Sequence, residues 1–216
     1  MRLSLRNMTG LALATALLFD GSVRAADFVV GATSAITGPV VPEEIFPDVP
    51  PDTIPPLDYP EFVGAFGADV AEEDLVVGVY LGGEAFAYPF KILNYHEIVR
   101  HVVGGQEIIA TYCPLTASGV IFAADNLVFG NTEALFNSNV VMFDRATNSV
   151  WSQMALGCIF GDRAGDHLNV LPGAQGTWAA WKALHPNTQV LLFPHRLRDQ
   201  PRLQLRPVDP EWIYRE

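Results

Sequence analysis

LVVGVYLGGEAFAY, residues Leu75 to Tyr88, reads as two β-rich runs on either side of the glycine pair Gly82-Gly83. Valine, tyrosine and phenylalanine suit a pleated surface, and a two-residue glycine loop supplies the positive φ angles that a tight hairpin turn needs. The stretch predicts a β-hairpin at the start of the core. Downstream, PFKILNYHEIV opens with a proline and spaces Ile92, Tyr95 and Val99 at helical intervals, which predicts a short helix from Pro89 to about His96. VVGGQEIIATYC then reads as a second strand pair around Gly104-Gly105. GVIFAA, NLVFG, VVMFD, SVWSQM and CIFGD follow, all short and β-rich, punctuated by polar turns such as DRATNS. GTWAAWKALHP reads as one helix with Trp178, Trp181 and Leu184 on a packed face and a stop before Pro186. The expected fold is α+β and predominantly β, with short strands and hairpins, one or two packed helices and no internal repeat.

Four segments follow from composition. Residues 1–25 place Arg2 and Arg6 ahead of an apolar run from Leu11 to Phe19 and end on Val23-Arg24-Ala25, the layout of a secretory leader. The run is about half of the ~20 residues needed to span a bilayer. Residues 26–73 form an acidic, proline-rich arm, with 8 of the 16 prolines between Gly38 and Pro60, which excludes a regular helix or central strand there. Residues 74–193 form the core domain. Residues 194–216 form an Arg-rich tail expected to pair with the acidic arm.

The chain has 216 residues, 24 acidic against 13 basic, for a net charge of −11. Leader removal takes away three arginines and one aspartate and moves the charge from −11 to −13. Such a field repels phosphate backbones and excludes nucleic acid as a partner. With 50% hydrophobic residues a real core is expected. The expected product is periplasmic or secreted, with no transmembrane anchor after leader cleavage.

TYCPLT, Thr111 to Thr116, is the densest chemical signal. Pro114 bars a helix through Cys113, so the thiol is expected at a strand end or tight turn, where it reaches solvent. A thiolate beside the Thr116 hydroxyl, free N–H groups or a cation becomes a nucleophile at neutral pH. The mature chain has two cysteines, Cys113 and Cys158, which in an oxidising compartment fit a structural disulfide, a reactive Cys113 or two buried free thiols. In NYHEIVRH the two histidines, His96 and His101, are five apart, so on a helix they diverge by roughly 140° and cannot form an H-E-x-x-H zinc site. His96 alone is a candidate partner for Cys113. With Met142 added, the set Cys113, His96 and Met142 makes an alternative copper site, although no metal or other cofactor is expected in the main reading. FDRATNSVWSQ, Phe143 to Gln153, reads either as turn chemistry with Asp144 and Thr147 bonding their own backbone, or as a source of site residues. In the second reading Arg145 is a cation near the thiolate, and Tyr112, Asp144, Ser149, Trp151 and Gln153 line the pocket.

Taken in order, DLVVGVYLGGEAFAYP, ILNYHEIV, TYCPLT, NSNVVMFDRATNSVWSQ and TWAAWKALHP resemble the bacterial and archaeal family catalogued as domain of unknown function 3179, over Asp74 to Pro186. The resemblance implies a β-rich domain in which Cys113 is the reactive position, because some members resemble selenoproteins at the cysteine of the Y-C-P-L motif. Many relatives read C-P-L-C, whereas here the fourth position is Thr116, so Cys113 works as a single thiol that Thr116 can at most tune. Cys158 is then a candidate resolving thiol, an idea local to this chain. The stretch GNTEALFNSN departs from the more glycine- and serine-containing loop of the family, which puts a pocket role for Asn131 to Leu135 in doubt. The expected function is thiol-based redox chemistry, with Cys113 attacking a small thiol, disulfide or peroxide substrate or a protein partner. Thr116 is expected to bond the thiolate, and His96 or Arg145 to stabilise its charge. Two rival readings are a copper-binding periplasmic module and a non-catalytic binding domain with a structural disulfide.

Overall fold

The structure is a computed structural model that describes residues 50–193. The leader, the first part of the arm and the Arg-rich tail lie outside the described residues. Strand β1 (Phe62–Gly64) comes from the segment read as an arm, and a single 3-10 turn follows it. β2 (Leu75–Leu81) and β3 (Glu84–Pro89) form the expected hairpin, with Leu81 opposite Glu84 and φ of 58° and 87° at Gly82 and Gly83. The glycine pair takes two left-handed backbone conformations that other residues adopt only at a cost. Helix α1 (Phe90–Leu93) is four residues long and stops short of the expected His96, because Asn94 to His96 turn the chain so that β4 (Ile98–Val103) can pair with β5 (Gln106–Cys113). β5 folds back on β6 (Ser118–Ala123). Next come β7 (Phe129–Phe136), β8 (Asn139–Asp144), β9 (Val150–Ser152) and β10 (Gly157–Phe160), and then β11 (Gly173–Thr177), helix α2 (Trp178–Leu184) and β12 (Gln189–Leu191).

The strands make three sheets: β1-β12-β3-β2-β11, β10-β9-β8-β7 and β4-β5-β6. All pairings are antiparallel except β12 with β3, which α2 brings alongside by a crossover from β11. Alternation on β5 explains how the sheets stack. Ile108, Ala110 and Tyr112 face one cluster with Val77, Val79 and Tyr88 of the five-stranded sheet. Ile109 faces another with Phe129, Met142, Trp151 and Cys158 of the four-stranded sheet. The three-stranded sheet is therefore the middle layer and is buried on both faces, which is why β5 reads as a nearly continuous apolar run. Both of its edges are covered. Leu57 of the arm bridges Val99 in parallel, and Val170 bridges Phe122.

Helix α2 packs on the outer face of the five-stranded sheet, where Trp178 and Trp181 join Val76, Ala87 and Val190. Its N-cap is Thr177, whose hydroxyl accepts from Ala180 N–H at 3.3 Å. Leu184, expected on the packed face, is exposed, because the face ends with Trp181 and Leu184 is the last helical residue. No helix of the described residues is long and apolar enough to cross a membrane.

Gly78 of β2 lies under α2. A Cβ there would sit 2.6 Å from two ring carbons of Trp181, and an indole ring held by buried neighbours has no room to yield. Gly78→Ala is expected to lower stability by about 1–3 kcal/mol, although alanine alone favours an ordered backbone. The urea midpoint falls and the m-value stays constant.

Candidate functional site

Cys113 is the last residue of β5 and pairs with Ser118 across a four-residue loop, Pro114 to Ala117. Pro114 has no N–H to continue the ladder, and Ala117 turns the chain with φ of 48°. The strand-end position is the expected one, but solvent access is not. The thiol is 1% exposed, because the middle sheet is covered by the four-stranded sheet on this side.

Thr111 and Cys113 point toward that neighbouring sheet, from which Gln153 and Asn139 enter. The Gln153 amide nitrogen donates to Thr111 Oγ1 at 3.0 Å and to the Ser118 carbonyl at 3.2 Å. Its oxygen accepts from the Ser118 hydroxyl at 3.1 Å and from Asn139 Nδ2 at 3.0 Å. Asn139 Nδ2 also reaches Thr116 Oγ1 at 2.9 Å. The Thr116 hydroxyl, expected on the thiolate, is thus engaged by Asn139 and by Ser118 Oγ at 2.7 Å. Asn139 Oδ1 is buried and has no partner.

On the other flank is His96. The pairing of β4 with β5 ends at Ile98 opposite Thr111, and His96 lies in the turn just before it, at the same end of the sheet as Cys113. His96 Nδ1 lies 2.9 Å from the Pro55 carbonyl, and since a carbonyl only accepts, Nδ1 carries the proton. Nε2 is left as a bare lone pair, buried and without a partner. Burial, partly opposed by the Pro55 hydrogen bond, holds the imidazole pKa below its ordinary value and keeps the ring neutral at pH 7. A neutral histidine fixed in one tautomer by a third group, with its other nitrogen free, has the protonation state that a general base needs.

Glu97 sits next to this histidine with φ of 54° and a mostly buried carboxyl. Its carbonyl accepts from Tyr112 N–H at 2.8 Å, and Asn131 Nδ2 donates to its Oε2 at 2.6 Å. Burial pushes the Glu97 pKa up to about 7; the Asn131 hydrogen bond opposes this and the charge of Glu133 adds to it. Burial, followed by the neighbouring Cys113 and Glu97, pushes the Tyr112 phenol up. Glu133 stands in an irregular stretch of β7 between Asn131 and Leu135, also at positive φ, 62°. Because the folded protein holds the Glu97 proton more tightly than the unfolded chain, the contribution of Glu97 to stability is fully present below about pH 4.5 and is lost as pH rises through about 7. Glu97→Gln removes this loss. It is expected to raise stability at pH 8 by roughly 2 kcal/mol and to change little at pH 4, as chemical denaturation at the two pH values will show.

The remaining expected site residues lie elsewhere. Arg145 follows the last residue of β8 and is roughly 20 Å along the strand from Asn139. There it pairs with Asp52 of the arm at 2.8 Å, so the structure does not bring it to the thiol. Asp144 organises the turn, accepting from Ala146 and Thr147 N–H and from Trp151 Nε1. Ser149 bonds Thr147 Oγ1 and Arg163 N–H. Trp151 and Met142 pack in the apolar cluster that also holds Cys158. Both cysteines are free and buried. Cys158 donates to the Phe160 carbonyl at 3.4 Å, and burial raises its pKa, with Asp144 and Asp166 adding to the effect. It therefore sits in surroundings different from those of Cys113. No group of three or more His, Cys, Asp or Glu placed to hold a metal ion occurs among the described residues.

Of the candidates, the structure gathers Cys113, Thr116, Gln153, Tyr112 and His96 at one end of the middle sheet. It adds Thr111, Ser118, Asn139, Glu97 and the Pro55 carbonyl, which sequence reading missed. Thr111 was within reach, two residues before Cys113 and so on the same strand face. A carbonyl 41 residues from its histidine leaves no local signal.

A family model described as "Protein of unknown function (DUF3179)" matches residues 51–208. No curated protein and no solved structure matches the chain.

Proposed function

The chain belongs to the DUF3179 family, whose description assigns no activity, and from its site we propose an exported protein that performs thiol-based redox chemistry at Cys113. The observation that carries this reading is the buried, unpartnered Nε2 of His96 in the turn that leads into β4, the strand that pairs with the one ending at Cys113. His96 Nε2 takes the Cys113 proton, and the thiolate attacks one sulfur of a disulfide. A Cys113 mixed disulfide forms, the substrate S–S bond breaks, and the departing thiolate receives the proton from His96. A second thiol, supplied by another molecule, attacks the mixed disulfide and restores Cys113. The leader-like residues 1–25 support an oxidising compartment, where such exchange is useful.

One observation favours a second reading. A thiol 1% exposed also suits a binding domain with an inert buried cysteine. The pH dependence of alkylation, read by mass spectrometry on the reduced protein with Cys158 as internal comparison, separates the two. The expected result is faster labelling at Cys113 than at Cys158 throughout the neutral range. Equally slow labelling of both cysteines overturns the redox reading.

A further inference from the structure

The segments that meet beside Cys113 carry no charge, and three of their exposed side chains are large and apolar. The segments 111–119, 134–142 and 149–161, which meet around the Thr116–Asn139–Gln153 hydrogen bonds, contain no Asp, Glu, Lys, Arg or His, although charged residues make up 17% of the chain. Within them Leu115, beside Thr116, is 49% exposed, and Met154, beside Gln153, is 57% exposed. Leu135, the cross-strand partner of Val140, which is itself next to Asn139, is 42% exposed. One acceptor among these segments has no donor, Asn139 Oδ1, and its residue is 3% exposed. Asn139 cannot cure its own deficit by flipping. Gln153 Nε2 is committed to Thr111 and Ser118, which leaves Gln153 Oε1 facing the Asn139 amide nitrogen.

Resting on the thiol reading above, we infer that the substrate of Cys113 is a cysteine in an extended polypeptide segment whose neighbouring side chains are uncharged and apolar. An uncharged rim on a chain of net charge −11 complements a neutral partner and does nothing for an anionic small thiol. Three separated apolar side chains match residues on either side of a cysteine. An unpaired carboxamide oxygen matches a peptide N–H, which a simple thiol does not offer. For the segment to reach the buried sulfur, the loop after it, exposed from Leu115 to Ala117, has to shift away from the Asn139 and Gln153 side chains that hold Thr116 and Ser118.

The test uses two peptides of equal length, each with one cysteine carried as a mixed disulfide with 2-thiopyridine. The cysteine is flanked by Leu, Ala and Met in one and by Asp and Glu in the other. Cys113 bonds to the peptide sulfur, the peptide–pyridyl S–S bond breaks, and the proton leaves through His96 with the thiopyridine, whose absorbance gives the rate. At 0.15 M salt the apolar peptide is expected to react at least about tenfold faster, and the ratio to fall toward one in Leu115→Ser/Met154→Ser. Because both rates come from the same protein, a change in thiol reactivity or folding cancels in the ratio. A ratio near one in the unmodified protein, with fast exchange on neutral dithiodipyridine, overturns the inference and leaves the thiol reading standing. No exchange on dithiodipyridine overturns both.

Discussion

Cys113→Ser is expected to fold and to lose disulfide exchange by roughly a thousandfold or more, because a serine hydroxyl can form no S–S bond. The substitution is nearly isosteric, and Cys113 makes none of the hydrogen bonds that hold Thr111, Ser118, Asn139 and Gln153 together. Stability should therefore change by no more than about 1–2 kcal/mol. Cys158→Ser is the matched comparison, and it keeps the exchange rate if the resolving thiol comes from another molecule. His96→Asn separates the base from the nucleophile. The Asn amide nitrogen can still donate to the Pro55 carbonyl, but no atom remains at the Nε2 position. The rate is expected to drop about a hundredfold at neutral pH and to rise more steeply with pH than in the parent. An unchanged pH profile in His96→Asn would falsify the assignment of His96 as base.

Asp144→Ala carries the second large effect, on stability. The carboxylate is fully buried and accepts from Thr147 N–H at 2.7 Å, Ala146 N–H at 3.2 Å, Thr147 Oγ1 and Trp151 Nε1 at 3.0 Å. Burial alone would raise its pKa, but the hydrogen bonds from Trp151 and Thr147 together hold it below the ordinary value. Alanine leaves the Trp151 indole N–H, on a residue only 1% exposed, without an acceptor and unties the turn at Ala146 and Thr147. The expected loss is about 3–5 kcal/mol, a large share of the ~5–15 kcal/mol that holds a typical domain together. A depressed carboxyl pKa stabilises the fold above the unfolded value and loses that contribution as pH falls through the folded one. The parent is therefore expected to weaken in acid by more than Asp144→Ala does. Urea titrations at pH 7 and pH 3 measure both effects, and exchange at Cys113 in the surviving folded fraction should persist.

Much of the fold was legible because its codes are local. The glycine pair at 82–83 and the polar DRATNS turn each act within a few residues, through backbone conformation or a hydrogen bond to a near neighbour. Family membership was legible as an ordered set of such pieces. Where the expectation failed, a non-local demand had overridden it. The helix expected to reach His96 ends at Leu93 because β4 must start at Ile98 to meet Thr111. Arg145 does not reach the thiol because Asp52, from the arm, claims it.

The amino-acid order was enough to establish a β-rich core and to single out Cys113 as the candidate reactive residue. Folding established which groups surround that sulfur. The Pro55 carbonyl sets the tautomer of His96, the Gln153 amide sets the orientation of Asn139, and the layering of three sheets buries a thiol that a strand end would otherwise expose. The division has a physical cause. Backbone preference and side-chain periodicity are properties of a few adjacent residues, whereas a buried hydrogen bond depends on which distant donor arrives at an acceptor when water is excluded.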